Sequence, residues 1–145
     1  MSESNSTYHE CCLYFTANSL SRYMNAMTDN AFRITGLAPA YAHLMLLLIE
    51  EPGLSHNELS NKMNVKASTM TRSIDKLLAM GYVERKQEGR NVYVYPTPNG
   101  IHLKEKINEA LSILFKEYCN VLGEDFAVKL TADIHKANEI LKQEE

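Results

Sequence analysis

At Gly81 the hydrophobic period of this sequence switches from helical to strand-like, and few folds accommodate what lies on either side. Before the glycine, Ser55–Met63 and Lys66–Met80 read as two helices joined only by Asn64-Val65. After it, Tyr82–Lys86 and Val92–Tyr95 are rich in β-branched and aromatic residues and flank the loop Gln87–Asn91, the pattern of a hairpin. Ser55-His56-Asn57-Glu58 is a capping box that starts the first helix: the Ser55 hydroxyl accepts from the Glu58 N–H, and the Glu58 carboxylate reaches back to the Ser55 N–H. Gly81 ends the second helix as the residue just past its cap, where a left-handed conformation favours glycine. Two helices with a short turn, followed at once by a hairpin, predict a helix-turn-helix with a wing. In such a pair the second helix enters the major groove.

The flanking segments are helical. Tyr8–Asn30 carries Cys12, Phe15, Ser19, Tyr23, Ala26 and Met27 at approximately the spacing of a buried stripe, and Gly36 breaks it. Pro39 suits the first turn of a leucine-rich second helix, Pro39–Glu50, which Pro52-Gly53 ends. Thr97-Pro98 gives a cap and a first-turn proline for a long helix to about Tyr118, with Ile107, Leu111, Leu114 and Tyr118 as its stripe. Gly123 precedes a last helix carrying Phe126, Leu130, Ile134, Ala137 and Leu141. The order is ααααββαα, a mostly α fold with a small β-wing (α+β). We expect a single domain over 1–145, with a winged helix-turn-helix core about 38–98. The helices about 8–30 and 98–143 carry more apolar surface than a lone winged core covers, which predicts a homodimer built on them.

Charge supports a localised nucleic-acid face. The net charge of −3 argues against uniform coating of nucleic acid. Between Lys62 and Arg90, however, seven basic residues stand against three acids, a net +4 that leaves −7 for the rest of the chain. On the second helix of the pair, Ala67, Met70, Ile74, Leu77 and Leu78 gather on a core side at about 100° per residue. Ser68, Thr69, Arg72 and Lys76 gather opposite. Hydroxyls and an Arg suit base edges on a groove floor, while Lys66 and Lys76 near the helix ends suit phosphates. Arg90 at the loop tip suits a narrow minor groove, and Arg85 and Lys86, at the base of the same hairpin, are further candidate DNA contacts.

Other classes find little support. There is no nucleotide-binding glycine loop and no Ser or Cys nucleophile motif, so no enzyme is expected. Adjacent His9, Cys11 and Cys12 cannot easily share a tetrahedral metal site, and no paired Cys-x-x-Cys exists, so neither a metal nor a cofactor is expected. The longest apolar run, Leu44–Ile49, is too short to span a bilayer. The polar start, Met1–Thr7, shows no secretory signal, and a cytoplasmic location is expected. Cys11, Cys12 and Cys119 make no disulfide framework.

From Leu54 to Gly100 the sequence resembles the MarR family. The resemblance is carried by Leu59-Ser60-Asn61-Lys62-Met63, by Ser68-Thr69-Met70-Thr71-Arg72-Ser73-Ile74-Asp75-Lys76-Leu77, by Gly81-Tyr82-Val83-Glu84-Arg85, by the wing, and by Thr97-Pro98-Asn99-Gly100. The helical remainder fits as well. The resemblance implies an obligate dimer whose first and last helices form the interface. It also implies a regulator, usually a repressor, of a pseudo-palindromic operator in double-stranded DNA, controlled by a small ligand or by oxidation. Two features depart from the family: Glu88-Gly89-Arg90 stands where Asp-x-Arg is usual, and Lys66 stands where a capping Ser or Asp is common.

For the effector, the expectation is a small aromatic or phenolic ligand, with Tyr14, Tyr41 and His43 as candidate pocket residues. One alternative is thiol sensing by Cys12, which lies close to where the peroxide-sensing branch of the family places its reactive cysteine. On a continuous helix Cys11 would point about 100° away, and Cys119 is a candidate resolving thiol. Another alternative is an interaction module of the same fold that has lost DNA binding.

Overall fold

The structure, a computed structural model, describes residues 7–144; the polar segment Met1–Ser6 and Glu145 lie outside them. In chain order the elements are α1 (Tyr8–Cys11), α2 (Leu13–Ala31), a 3₁₀ turn (Phe32–Thr35), α3 (Pro39–Glu50), β1 (Leu54–Ser55), α4 (His56–Met63), α5 (Ala67–Ala79), β2 (Val83–Glu88), β3 (Asn91–Pro96), α6 (Pro98–Ile101), α7 (Lys104–Leu122) and α8 (Glu124–Gln143). The fold is mostly helical with one small antiparallel sheet. Among the described residues, no single helix is long and apolar enough to cross a membrane.

The chain divides into two compact units. Residues 28–111 hold the winged core. Its interior is Phe32, Leu44, Met45, Leu48, Leu59, Met70, Ile74, Leu77, Val83, Val94 and Ile107, all fully or almost fully buried. The capping box forms: the Glu58 N–H donates to Ser55 Oγ at 3.2 Å and the Ser55 N–H to Glu58 Oε1 at 3.3 Å. Asn64 takes the left-handed conformation (φ 55°) that ends α4 and opens the turn, a conformation Asn tolerates better than most residues. At the far end of α5, Gly81 (φ 79°) lets the Tyr82 N–H reach the Leu77 carbonyl and its own N–H reach that of Leu78. This is a Schellman closure.

Thr97 and Gly100 tie the end of the wing to that closure. The Thr97 hydroxyl donates to the Gly81 carbonyl at 2.7 Å and accepts from the Gly100 N–H at 3.2 Å, while the Thr97 N–H donates to the Tyr82 carbonyl at 3.0 Å. Gly100 is there because nothing larger fits: a Cβ would lie 2.1 Å from the Tyr82 carbonyl oxygen and 2.7 Å from Met45 Cε.

The second unit comprises the helical segments up to residue 27 and from residue 112 onward. Among the described residues, of its apolar side chains only Leu114 and Ala127 are buried.

Several boundaries differ from the sequence reading. The first helix breaks at Cys12, which is extended (φ −95°, ψ 119°) and whose carbonyl accepts both the N–H and the hydroxyl of Thr16 as α2 begins. Its expected buried stripe is divided: Phe15, Tyr23 and Ala26 are exposed, while Cys12, Ser19 and Met27 are half-buried alongside Leu20 and Met24. The helix is apolar on more than one face, so periodicity alone could not choose between them. The helix expected to run unbroken from Pro98 stops at Ile101, where the Leu103 N–H bonds to the Gly100 carbonyl three residues back, and α7 continues to Leu122. The sheet has a third strand: β1 pairs with β3 (Leu54 with Val94, Ser55 with Tyr93), giving the order β1-β3-β2. The wing is tighter than the loop Gln87–Asn91, since Gln87 and Glu88 pair with Val92 and Asn91 and leave only Gly89-Arg90 in the turn.

Gly100→Ala is expected to destabilise the winged unit by at least about 2 kcal/mol, since the added methyl meets a fixed carbonyl oxygen rather than a movable side chain. A thermal denaturation midpoint equal to wild type would show that the helix–wing junction is looser than described.

Candidate nucleic-acid interface

The second helix of the pair, α5, buries Met70, Ile74 and Leu77 and turns Ala67, Ser68, Thr71, Arg72, Asp75, Lys76 and Ala79 to solvent. Two assignments shift from the sequence reading. Ala67 is exposed rather than core-facing, and Thr69 is half-buried. Lys66 is the extended N-cap residue, and its side chain makes no capping hydrogen bond. No side chain therefore accepts from the first-turn N–H groups through the cap, and these carry the positive end of the helix dipole. Thr71 spends its hydroxyl on the Ala67 carbonyl at 3.0 Å, so Ser68 and Arg72 remain as the polar groups best placed for base edges.

The wing is β2 and β3 joined by Gly89-Arg90. Gly89 has φ 64° and Arg90 does not share the positive angle, as in the type II′ hairpin turns that match strand twist. The expected tip residue, Arg90, is exposed at the end of this turn.

The seven basic residues of the 62–90 stretch fall into two groups. Lys62 pairs with Glu51 at 3.3 Å, Arg85 with Asp75 at 2.5 Å, and Lys86 with Glu84 at 3.7 Å. Lys86 also lies over the Tyr95 ring, 4.7 Å from its centroid. Among the described residues no ion pair engages Lys66, Arg72, Lys76 or Arg90, and all four are exposed on α5, its cap or the wing tip. The sequence reading missed Asp75, an acid between Arg72 and Lys76 on the exposed face, and its pairing with Arg85 across the Gly81 turn.

Residues 37–91 match the model of the MarR family. The match lies within the winged unit. Solved structures extend the likeness over the whole MarR fold. The MarR protein from Peptoclostridium difficile DA00132 superposes with a TM-score of 0.79 at 22% identity, covering 99% of this chain and 94% of that one. The PcaV transcriptional regulator from Streptomyces coelicolor, in complex with its natural ligand, gives 0.81 at 15% identity, with coverages of 93% and 97%. CouR from Rhodococcus jostii RHA1, bound to p-coumaroyl-CoA, gives 0.76 at 19%, with coverages of 91% and 94%. No curated protein matches the sequence.

Within this MarR fold the remaining candidate residues are scattered. Tyr14 on α2 is exposed and packs edge-to-face on Phe15. On α3 of the winged unit, Tyr41 is half-buried, and His43 stacks on Phe32 at 5.3 Å while its Nδ1 donates to the Pro39 carbonyl at 2.8 Å. An apolar cavity of about 250 Å³ lies elsewhere, in the helical unit outside residues 28–111, lined by Leu20, Met24, Tyr118, Leu122, Leu130 and Ile134. Among the described residues Cys11, Cys12 and Cys119 form no disulfide. Because Cys12 leaves the helical conformation, the helical angle between Cys11 and Cys12 does not apply. Burial first, and then Glu124, push the Cys119 thiol above its ordinary range, which disfavours the thiolate needed of a resolving cysteine.

His56 opens α4 and shares a shallow cleft with Arg85 and Val92. Burial of the ring, and next the Arg85 charge, hold its imidazole below the ordinary histidine value, with Asp75 pulling weakly the other way. A histidine held low binds its proton more readily unfolded than folded. Its contribution is therefore complete above about pH 6.5 and is lost as the pH falls through the lowered folded value. Denaturant midpoints measured from pH 7 to pH 5 are expected to fall further for wild type than for His56→Gln. Parallel profiles would show that His56 is not charged against Arg85.

Proposed function

We propose that this protein is a sequence-specific transcriptional regulator of double-stranded DNA, a homodimer that represses from a pseudo-palindromic operator and is released by a small aromatic or phenolic ligand. The observation that carries the reading is the division of the cations. Among the described residues, Lys66, Arg72, Lys76 and Arg90 on α5, its cap and the wing tip engage no ion pair, while Lys62, Arg85 and Lys86 each pair with an acid. In this reading Ser68 and Arg72 address base edges in the major groove, with Thr69 beside them. Lys66 and Lys76 hold phosphates, and Arg90 enters the adjacent minor groove. Lys86, on the outer face of the hairpin base, is a secondary phosphate contact.

The dimer is supported by apolar surface. Outside residues 28–111, side chains such as Leu13, Tyr23, Val121, Phe126, Ile140 and Leu141 are each more than half exposed. Clustered apolar exposure of this kind marks an interaction surface. Two copies related by a two-fold axis would place the two α5 helices on half-sites about one helical turn apart. The small ligand is supported by the p-coumaroyl-CoA bound to CouR and by the natural ligand bound to PcaV.

Selection from a random duplex pool is expected to return an inverted repeat, and sedimentation equilibrium a dimer at micromolar concentration. Arg72→Ala should cost about 1–3 kcal/mol per half-site and relax base preference at one position. Arg90→Ala should weaken binding evenly across sequences. If both variants keep wild-type affinity at moderate salt, the docking geometry is wrong. If the pool shows no enrichment, the protein is an interaction module of the same fold.

A further inference from the structure

Arg85 sits at the hairpin base, where a phosphate contact would be natural, but its position in the sheet points elsewhere. On β2 the side chains alternate faces. Val83, two residues earlier, is buried, and the cross-strand partner of Arg85 is the buried Val94. Arg85 therefore continues the inner face of the sheet toward α5, while Glu84 and Lys86 take the outer face. There its guanidinium reaches Asp75 of α5 at 2.5 Å, across ten residues of chain. Asp75 stands between Arg72 and Lys76, where an uncompensated carboxylate would repel a phosphate backbone. His56 of α4 faces the same guanidinium across the cleft the two share with Val92. Three elements thus converge on this one side chain: both helices of the pair and the wing strand.

We propose that Asp75–Arg85 is a latch that sets the wing relative to the recognition helix, and that Arg85 is a positioning residue rather than a contact to the DNA backbone. The proposal rests on the regulator reading above and specifies how its site is held. An exposed ion pair adds little to global stability, so its work is orientational: it holds the strand leading to Arg90 against the helix bearing Arg72, and it cancels the one acid on the reading face.

The sign of the Asp75→Ala effect decides the matter. Removing a carboxylate beside DNA, and freeing Arg85, should tighten binding if the pair has only direct electrostatic effects. The latch predicts the opposite: operator binding about threefold weaker per half-site, within what an exposed pair can supply. The thermal midpoint should stay near wild type, and hydroxyl-radical protection should be lost at the wing but kept in the major groove. Arg85→Ala should weaken binding similarly, leave the salt dependence of affinity unchanged, and add little in the Asp75→Ala background. Equal or tighter binding by Asp75→Ala, or a salt slope reduced by about one in Arg85→Ala, overturns the latch while leaving the regulator reading intact. A wild-type protein with no salt-dependent duplex binding overturns both.

Discussion

The winged unit depends on one crowded junction, where the recognition helix ends and the wing both leaves and returns. Gly81 turns the chain out of α5, the Tyr82 carbonyl accepts the Thr97 N–H, and the Thr97 hydroxyl closes on the Gly81 carbonyl. Gly100 then passes so near the Tyr82 carbonyl that even a methyl would not fit. These contacts join residues about sixteen positions apart. They fix the exit of α5, the base of both wing strands and the start of α6 in one stroke. Each bond is worth only about 1 kcal/mol net, but together they leave little freedom for the hairpin to swing against the helix.

That rigidity explains how a short wing can work. With only Gly89-Arg90 in its turn, the hairpin has no long loop with which to search for a groove. Its single tip cation must be delivered by the sheet. The sheet is held at its base by the Thr97–Gly100 junction, along β3 by the two residues of β1, and on its inner face by Val83 and Arg85 against α5. Precision in placing Arg90 is thus a property of packing some distance behind it.

What could be read from the sequence was mostly local. The capping box at Ser55, the closure at Gly81, the Pro39 and Thr97 helix starts and the stripe Ile107-Leu111-Leu114-Tyr118 each rest on interactions within a few residues, and each appears in the structure. What could not be read depends on distant partners. Leu54-Ser55 is a strand only because Val94 and Tyr93 lie beside it. Ala67 is exposed and Thr69 half-buried because burial along α5 is set by what packs against the helix and not by its own period alone. Arg85 looked like a phosphate ligand because nothing in its own neighbourhood reveals Asp75 on the preceding helix. Lys66, Arg72, Lys76 and Arg90, which the reading placed on the interface, are exposed and engage no ion pair among the described residues, and their exposure could be read without a tertiary partner.

The acidic remainder of the chain completes the logic. On the proposed reading, a chain carrying +4 on the 62–90 stretch and −7 elsewhere concentrates its attraction for duplex DNA in that stretch. Surplus acid elsewhere in the chain would lower non-productive attraction to phosphate. The internal pairs sharpen this further. Lys62, Arg85 and Lys86 are partly cancelled by Glu51, Asp75 and Glu84, so the uncompensated positive charge narrows to α5, its cap and the wing tip. Non-specific affinity scales with the number of phosphates neutralised, so sparing cations behind the reading face lowers that background without touching Arg72. An overall negative charge is therefore compatible with DNA recognition and sets how selective that recognition can be.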